Sequence, residues 1–327
     1  MPVIRIFSTT VVFILSIAFS MQPSLGIPNE GFLVTSDYDD SFPEISPDSR
    51  FVIYTQIDGG GNPMVLVDSS GSRRKFLKTS LFEAKIKGMK FSMEGCWNTD
   101  SNSFAYVSLS PDPEILIFKV DEMRGKDLGL HESSELMPFF KGNILFASNA
   151  GGRVDVYEWS GKLRRITNSR AVEFYPVYTE KGIAFIEYDL GKTSLVIEKK
   201  KIPFEKGQLG RILPSPDGKH LLVVVNVGEY NSDLYLFSIE KTEFSKIADD
   251  VLDTGIFWLD DKVFGYVPRK DREKMILSNL KGEKRTLSPV PGYSIESVSS
   301  SKNGWIALSV FNPSNTSTDI YLYRVRK

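Results

Sequence analysis

The sequence predicts an all-β chain: a seven-bladed β-propeller of four-stranded antiparallel sheets, closed by its own N-terminal strand, with six blades as the alternative count. Three observations lead there. A short apolar strand recurs seven times at a near-constant period, a second apolar strand precedes each copy by a similar offset, and the text of the strand missing from the last copy stands at the start of the chain.

The first residues read as an export segment. Arg5 precedes the apolar stretch Ile6 to Phe19, and Ser24 and Gly26 hold the −3 and −1 spacing before Ile27, so residues 1–26 have the form of a signal peptide cleaved after Gly26. The apolar stretch includes Ser8, Thr9, Thr10 and Ser16 and is shorter than the roughly twenty residues of a membrane span. An uncleaved anchor is the alternative, and it is the only membrane contact the sequence suggests. A periplasmic or secreted location follows. The single cysteine, Cys96, leaves the fold to be held by packing rather than by an internal disulfide.

Residues 31–327 read as one propeller domain. Leu66, Ile117, Val156, Ile197, Leu236, Leu277 and Leu322 are equivalent points spaced by 51, 39, 41, 39, 41 and 45 residues, the length of a four-stranded blade. The preceding strand appears at Phe51 to Tyr54, Phe104 to Val107, Ile144 to Ala147, Ile183 to Ile186, Leu221 to Val224, Val263 to Tyr266 and Ile306 to Ser309. These runs are apolar without alternation, as strands covered on both faces are. They are bounded by Gly, Pro, Asp and Asn and are too short for helices.

Turn chemistry marks the joints. Ser46-Pro47-Asp48-Ser49 and Ser215-Pro216-Asp217-Gly218 stand before the second strand of units one and five, and Ser160-Gly161 and Lys281-Gly282 lead into polar outer strands. Unit seven ends at Lys327 after its third strand, while Phe32-Leu33-Val34-Thr35-Ser36 repeats the outer-strand text Phe76-Leu77-Lys78-Thr79-Ser80. The N-terminus therefore completes the last blade and leaves only short edges around the ring.

The Ser-Pro-Asp turn followed by strands of the Phe51-Val52-Ile53-Tyr54 and Leu234-Tyr235-Leu236-Phe237 kinds resembles the TolB-like, WD-repeat-like propeller family over Gly31 to Lys327. The resemblance implies a propeller and, for TolB itself, a periplasmic partner of a cell-envelope complex. TolB also carries an N-terminal α/β domain with no counterpart here, and a six-bladed propeller where these repeats number seven.

Forty basic and forty-one acidic side chains give a net charge of −1, which sets up no field for nucleic acid or an anionic surface. The runs Arg73-Arg74-Lys75, Arg164-Arg165 and Lys199-Lys200-Lys201 read as solvated hairpin edges. The two histidines, His131 and His220, lie in different blades, so a histidine-rich metal site is not expected. No Gly-x-Ser-x-Gly elbow occurs. Gly191-Lys192-Thr193 lacks the first glycine of a phosphate loop, and Gly59-Gly60-Gly61 lacks the third glycine of a dinucleotide loop; both read as hairpin turns. Asn98 to Asn102 alternates oxygen side chains without the distal glutamate of a calcium loop. No cofactor is expected, with calcium as the one candidate.

One constellation remains. The third residue before Pro43, Pro138 and Pro176 is Asp40, Glu135 and Glu173, and Asp253 takes the matching place in unit six. This junction crosses one face of the disc toward the channel, so the four carboxylates are candidates for a cation or a basic peptide segment at one mouth, and otherwise cap local amides. The expected function is that of an exported, monomeric, non-enzymatic scaffold for a protein partner. The alternatives are a propeller enzyme, a lyase or glycan-processing one, or a binder of glycans or small ligands that uses those acids.

Overall fold

A computed structural model of the chain describes residues 30–57, 63–68, 73–78, 95–108, 113–130 and 133–326. The export segment, His131 and Gly59-Gly60-Gly61 lie outside the described residues. Seven four-stranded antiparallel sheets follow one another around a central axis. Their inner strands are Asp39–Ile45, Cys96–Trp97, Glu135–Lys141, Val172–Thr179, Gln208–Pro214, Phe257–Trp258 and Ser294–Ser300, in blades 1 to 7. The count of seven made from the repeats holds.

Closure follows the repeated outer-strand text. Gly31–Val34 pairs antiparallel with the third strand of blade 7, Ser317–Arg324, with Gly31 opposite Leu322 and Val34 opposite Ile320. Ser36 N–H donates to Asp319 Oδ1 at 3.3 Å, and Ser317 Oγ donates to Ser36 O at 3.2 Å, so the chain is held on both sides of the join.

The non-alternating second strands are buried as their composition requires. Phe51–Ile57, Ser103–Ser108 and His220–Asn226 have unbroken buried centres because each blade packs a neighbour on both faces. Each wall between neighbours has its own apolar cluster, from Ile53, Leu66 and Phe104 between blades 1 and 2 to Val34, Tyr54 and Ile320 between blades 7 and 1. Two inner strands are only two residues long. There an indole does the joining: Trp97 Nε1 donates to Glu44 O, and Trp258 Nε1 donates to Leu213 O, each at 3.0 Å across to the preceding blade.

The antiparallel order gives the disc two unlike ends. Inner strands begin at one end, where the turns between second and third strands also lie. They finish at the other, in the tight turns to the second strands.

Candidate functional site

Asp40, Glu135 and Glu173 share one local design. Each opens an inner strand, and two residues later Phe42, Met137 and Tyr175 adopt φ of 54°, 56° and 52° just before Pro43, Pro138 and Pro176. Each strand shifts register across that point. Proline cannot donate to a ladder, so it sits where a bulge removes the need. The bulge re-aims the strand start, and the three carboxylates are buried there with relative exposures of 0%, 1% and 1%.

Each acid has local hydroxyl partners. Ser36 Oγ donates to Asp40 Oδ2 at 2.8 Å, and Gln56 Nε2 donates to Asp40 Oδ1 at 3.2 Å. Ser133 Oγ donates to Glu135 Oε1, which Ser148 Oγ also approaches at 3.4 Å. Thr167 Oγ1 donates to Glu173 Oε2. Burial pushes the Glu173 carboxyl above its ordinary value, hydrogen bonds from Thr167 and Ser169 oppose that, and the charge of Asp155 adds to the rise.

Asp253 stands apart. It belongs to a single 3₁₀ turn, Asp253–Gly255, and its Oδ1 accepts from Arg269 at 3.0 Å. Around it blades 5, 6 and 7 meet in a polar network: Arg211 donates to Asp253 O at 3.2 Å, Thr254 Oγ1 donates to Glu296 O at 2.6 Å, and Arg272 donates to both Glu296 oxygens at 3.0 and 2.8 Å. The structure therefore places all four predicted acids at the same end of the disc, three of them buried on separate blades with their own hydroxyl partners and Asp253 in an ion-pair network. Among the described residues no three His, Cys, Asp or Glu side chains assemble as a metal-binding group.

A second set of acids was not singled out from the sequence. Asp155, Asp233 and Asp319 stand near the starts of third strands at this same end, all buried. Asp155 meets Arg165 at 2.5 Å and Asp233 meets Lys246 at 2.7 Å, both bases lying on the outer strand of the same blade. An aspartate inside the apolar texts Val154-Asp155-Val156 and Thr318-Asp319-Ile320 was the available signal. The outer-strand bases are in part counter-charges for buried acids, in addition to being solvated edges.

The same end carries exposed apolar hairpins on adjacent blades. In blade 4 the turn between Asp189 and Lys192 consists of Leu190 and Gly191, with φ of 48° and 81°, and Leu190 is 94% exposed. In blade 5 the corresponding turn holds Val227 and Tyr230, the latter 65% exposed. Tyr188 and Val172 add to this surface.

No protein-family model and no curated protein sequence matches this chain. Solved structures do. The oligogalacturonate lyase of Vibrio parahaemolyticus is 12% identical with a TM-score of 0.62, covering 90% of this chain and 93% of that one. The shared feature is the propeller fold. The Cps50 (Swd1) β-propeller domain of Myceliophteria thermophila is 8% identical with a TM-score of 0.61, covering 92% and 99%. TolB from Acinetobacter baumannii is 15% identical with a TM-score of 0.48 over 78% of this chain, which spans 55% of that protein's length. Because an enzyme and a propeller domain of other kind fit equally well, the fold leaves function to the surfaces.

Chemically, the buried acids are placed to hold strand starts. The charge of Asp155 bears on the raised Glu173 carboxyl, and both acids are buried.

Proposed function

We propose that the protein is a non-enzymatic scaffold that holds a protein partner against the end of the disc where the inner strands begin, in the cell envelope or the extracellular space. Leu190 carries this reading. A type I′ hairpin turn prefers Asn, Asp or Gly at its first central position. A bulky residue there costs about 1–2 kcal/mol, and leaving its side chain in water forfeits roughly 1.5–3 kcal/mol of burial. The fold gains nothing from Leu190, whereas a partner surface would. Tyr230 and Val227 extend the same apolar ridge onto the next blade, and aromatic anchors are common at the centres of interfaces. The signal-like residues 1–26 support the location.

The test places a photo-crosslinking residue at position 188 or 227 in the native cell. One partner polypeptide is expected from both positions, and it should disappear in the Leu190→Asn, Tyr230→Ser double variant, whose melting temperature is not lowered. Leu190→Asn alone should raise stability by up to ~1 kcal/mol as the turn strain is relieved. Absence of adducts at both positions, or turnover of a glycan by the purified wild-type protein, would overturn the reading.

A further inference from the structure

The joint between blades 3 and 4 adjoins the apolar ridge and is built around two buried acids. Glu173 N–H donates to Val154 O at 3.0 Å, which sets the start of the blade 4 inner strand against the start of the third strand of blade 3. Asp155 and Glu173 are buried there. The chain between the two blades folds over them. Thr167 Oγ1 accepts from Val156 N–H at 2.9 Å and donates to Glu173 Oε2, and Ala171 N–H donates to Ser169 Oγ at 3.1 Å.

Charge in this joint does not balance without a proton. Arg165 Nη2 donates to Asp155 Oδ2 at 2.5 Å, and among the described residues it is the one base that bonds either acid. The other charged groups around the joint are matched or lie in solvent. Glu187, opposite Glu173 on the second strand of blade 4, pairs with Lys201 of the outer strand. Glu135, on the inner strand of blade 3, takes hydroxyls from Ser133 and Ser148, the latter opposite Asp155. Glu158, further along the Asp155 strand, is held by Arg164 and Tyr178. Burial keeps the Tyr157 phenol above its ordinary value, so it carries no charge. Arg153 and Arg170 are exposed.

Two carboxylates sealed with one guanidinium leave one negative charge, and a buried like-charged pair is relieved by a proton. An acceptor for it is in place, because Asp155 Oδ1 is buried and receives no hydrogen bond among the described residues. The raised Glu173 carboxyl agrees with this count. The pair is also tied to the ridge. Val172, immediately before Glu173, lies opposite Tyr188, and Asp189 opposite Lys192 closes the Leu190 hairpin. A shift of the Glu173 strand start is therefore carried to Leu190 through adjoining rungs of one sheet.

We infer that this joint is a proton-operated switch for the ridge. With Glu173 protonated, its O–H is shared with Asp155 and the joint is shut. With Glu173 ionised, two like charges stand in a sealed space, and the strand start moves outward with its hairpin. The proton passes to solvent on opening and returns from it on closing, so no other reactant is needed. A partner seated on Leu190 would be held on the acid side of the transition and released above it. That consequence rests on the proposed docking at Leu190, whereas the switch itself does not.

Hydrogen exchange of the purified full chain, corrected for the intrinsic pH dependence of amide exchange, tests the switch without a partner. Amides of residues 172–192 should exchange about tenfold faster above the transition than below it, while those of blades 1 and 7 keep their rates. Glu173→Gln, which keeps the neutral shape, should hold slow exchange at every pH. Asp155→Asn removes the like charge and should move the transition to lower pH. An infrared band of a protonated carboxyl should follow the wild-type curve and be missing from Glu173→Gln. Exchange that does not change with pH, or that changes equally in Glu173→Gln, would overturn the inference. Failure of crosslinking at positions 188 and 227 would leave these readings as they are, and a partner caught there equally at every pH would overturn the switch while the docking surface stands.

Discussion

The sheet of blade 4 faces two unlike neighbours. Toward blade 5 it presents Ala184, Ile186, Leu195 and Ile197 to Leu209, Leu221, Val223 and Phe237, one continuous apolar wall. Toward blade 3 the apolar cluster is only Val156, Phe185 and Val196. Ile166, Ile183 and the Phe139 ring, 6.1 Å from that of Tyr178, add to it, and polar contacts run beside them: Tyr178 Oη donates to Glu158 Oε1 at 2.6 Å, Arg164 bonds Glu158 Oε2 at 2.6 Å, and Glu173 reaches back to Thr167. One strand supplies both faces because successive side chains alternate, as Phe185 and Ile186 do. Apolar burial holds a wall without regard to direction, whereas a buried hydrogen bond holds it only when every partner is in place. The difference teaches that one repeat unit tolerates either chemistry at its walls, with different sensitivities.

The largest break in the comparison is expected on the apolar side. Phe237 is fully buried, with its ring 4.6 Å from that of Phe244. Phe237→Ala should lower unfolding free energy by about 3–5 kcal/mol, by lost transfer energy and a residual cavity. Chemical denaturation would measure it, and a loss under ~1 kcal/mol would mean that this wall is not what holds blades 4 and 5 together.

A smaller loss is expected across the polar wall. Burial pushes the Glu158 carboxyl up, but hydrogen bonds from Tyr178, Arg164 and Asn143 outweigh it and hold the group below its ordinary value. Tyr178→Phe removes one of those donors from a charged acceptor and should cost about 1.5–3 kcal/mol. A double-mutant cycle with Glu158→Gln isolates the pair, and additive effects would show that the two side chains do not act on each other.

The mildest change should sharpen the contrast through pH. Glu173 has a folded-state pKa raised above its ordinary value of 4.5, so its protonated form is the one the fold favours. That contribution is fully present below the unfolded pKa and is lost as pH rises through the folded one. Glu173→Gln keeps the neutral shape at all pH values. The variant should therefore match wild type in acid and melt at higher temperature from neutral pH upward. A difference that stays constant with pH would remove Glu173 as the source of that dependence.

Particular residues show how far the sequence could be read. Tyr178 and Glu158 lie in different repeats and gave no local signal, since nothing in either text says that a phenol will cross a wall to a carboxylate. Leu190-Gly191 was visible as a hairpin, but its importance depends on exposure, which a single strand's text does not state.

Blade number, strand order and closure by Gly31–Val34 were written in the sequence. A repeated unit carries the same apolar runs and turns each time, and local pattern then selects the same sheet. Tertiary structure alone decided which acids are alike. Asp40, Glu135 and Glu173 share a proline bulge that turns each carboxylate inward to a hydroxyl, whereas Asp253, matched to them by alignment, sits in a 3₁₀ turn where Arg269, sixteen residues away in the chain, supplies its counter-charge. Alignment sees a position along the chain, while the environment of a charge is set by whatever the fold brings within a few ångströms of it.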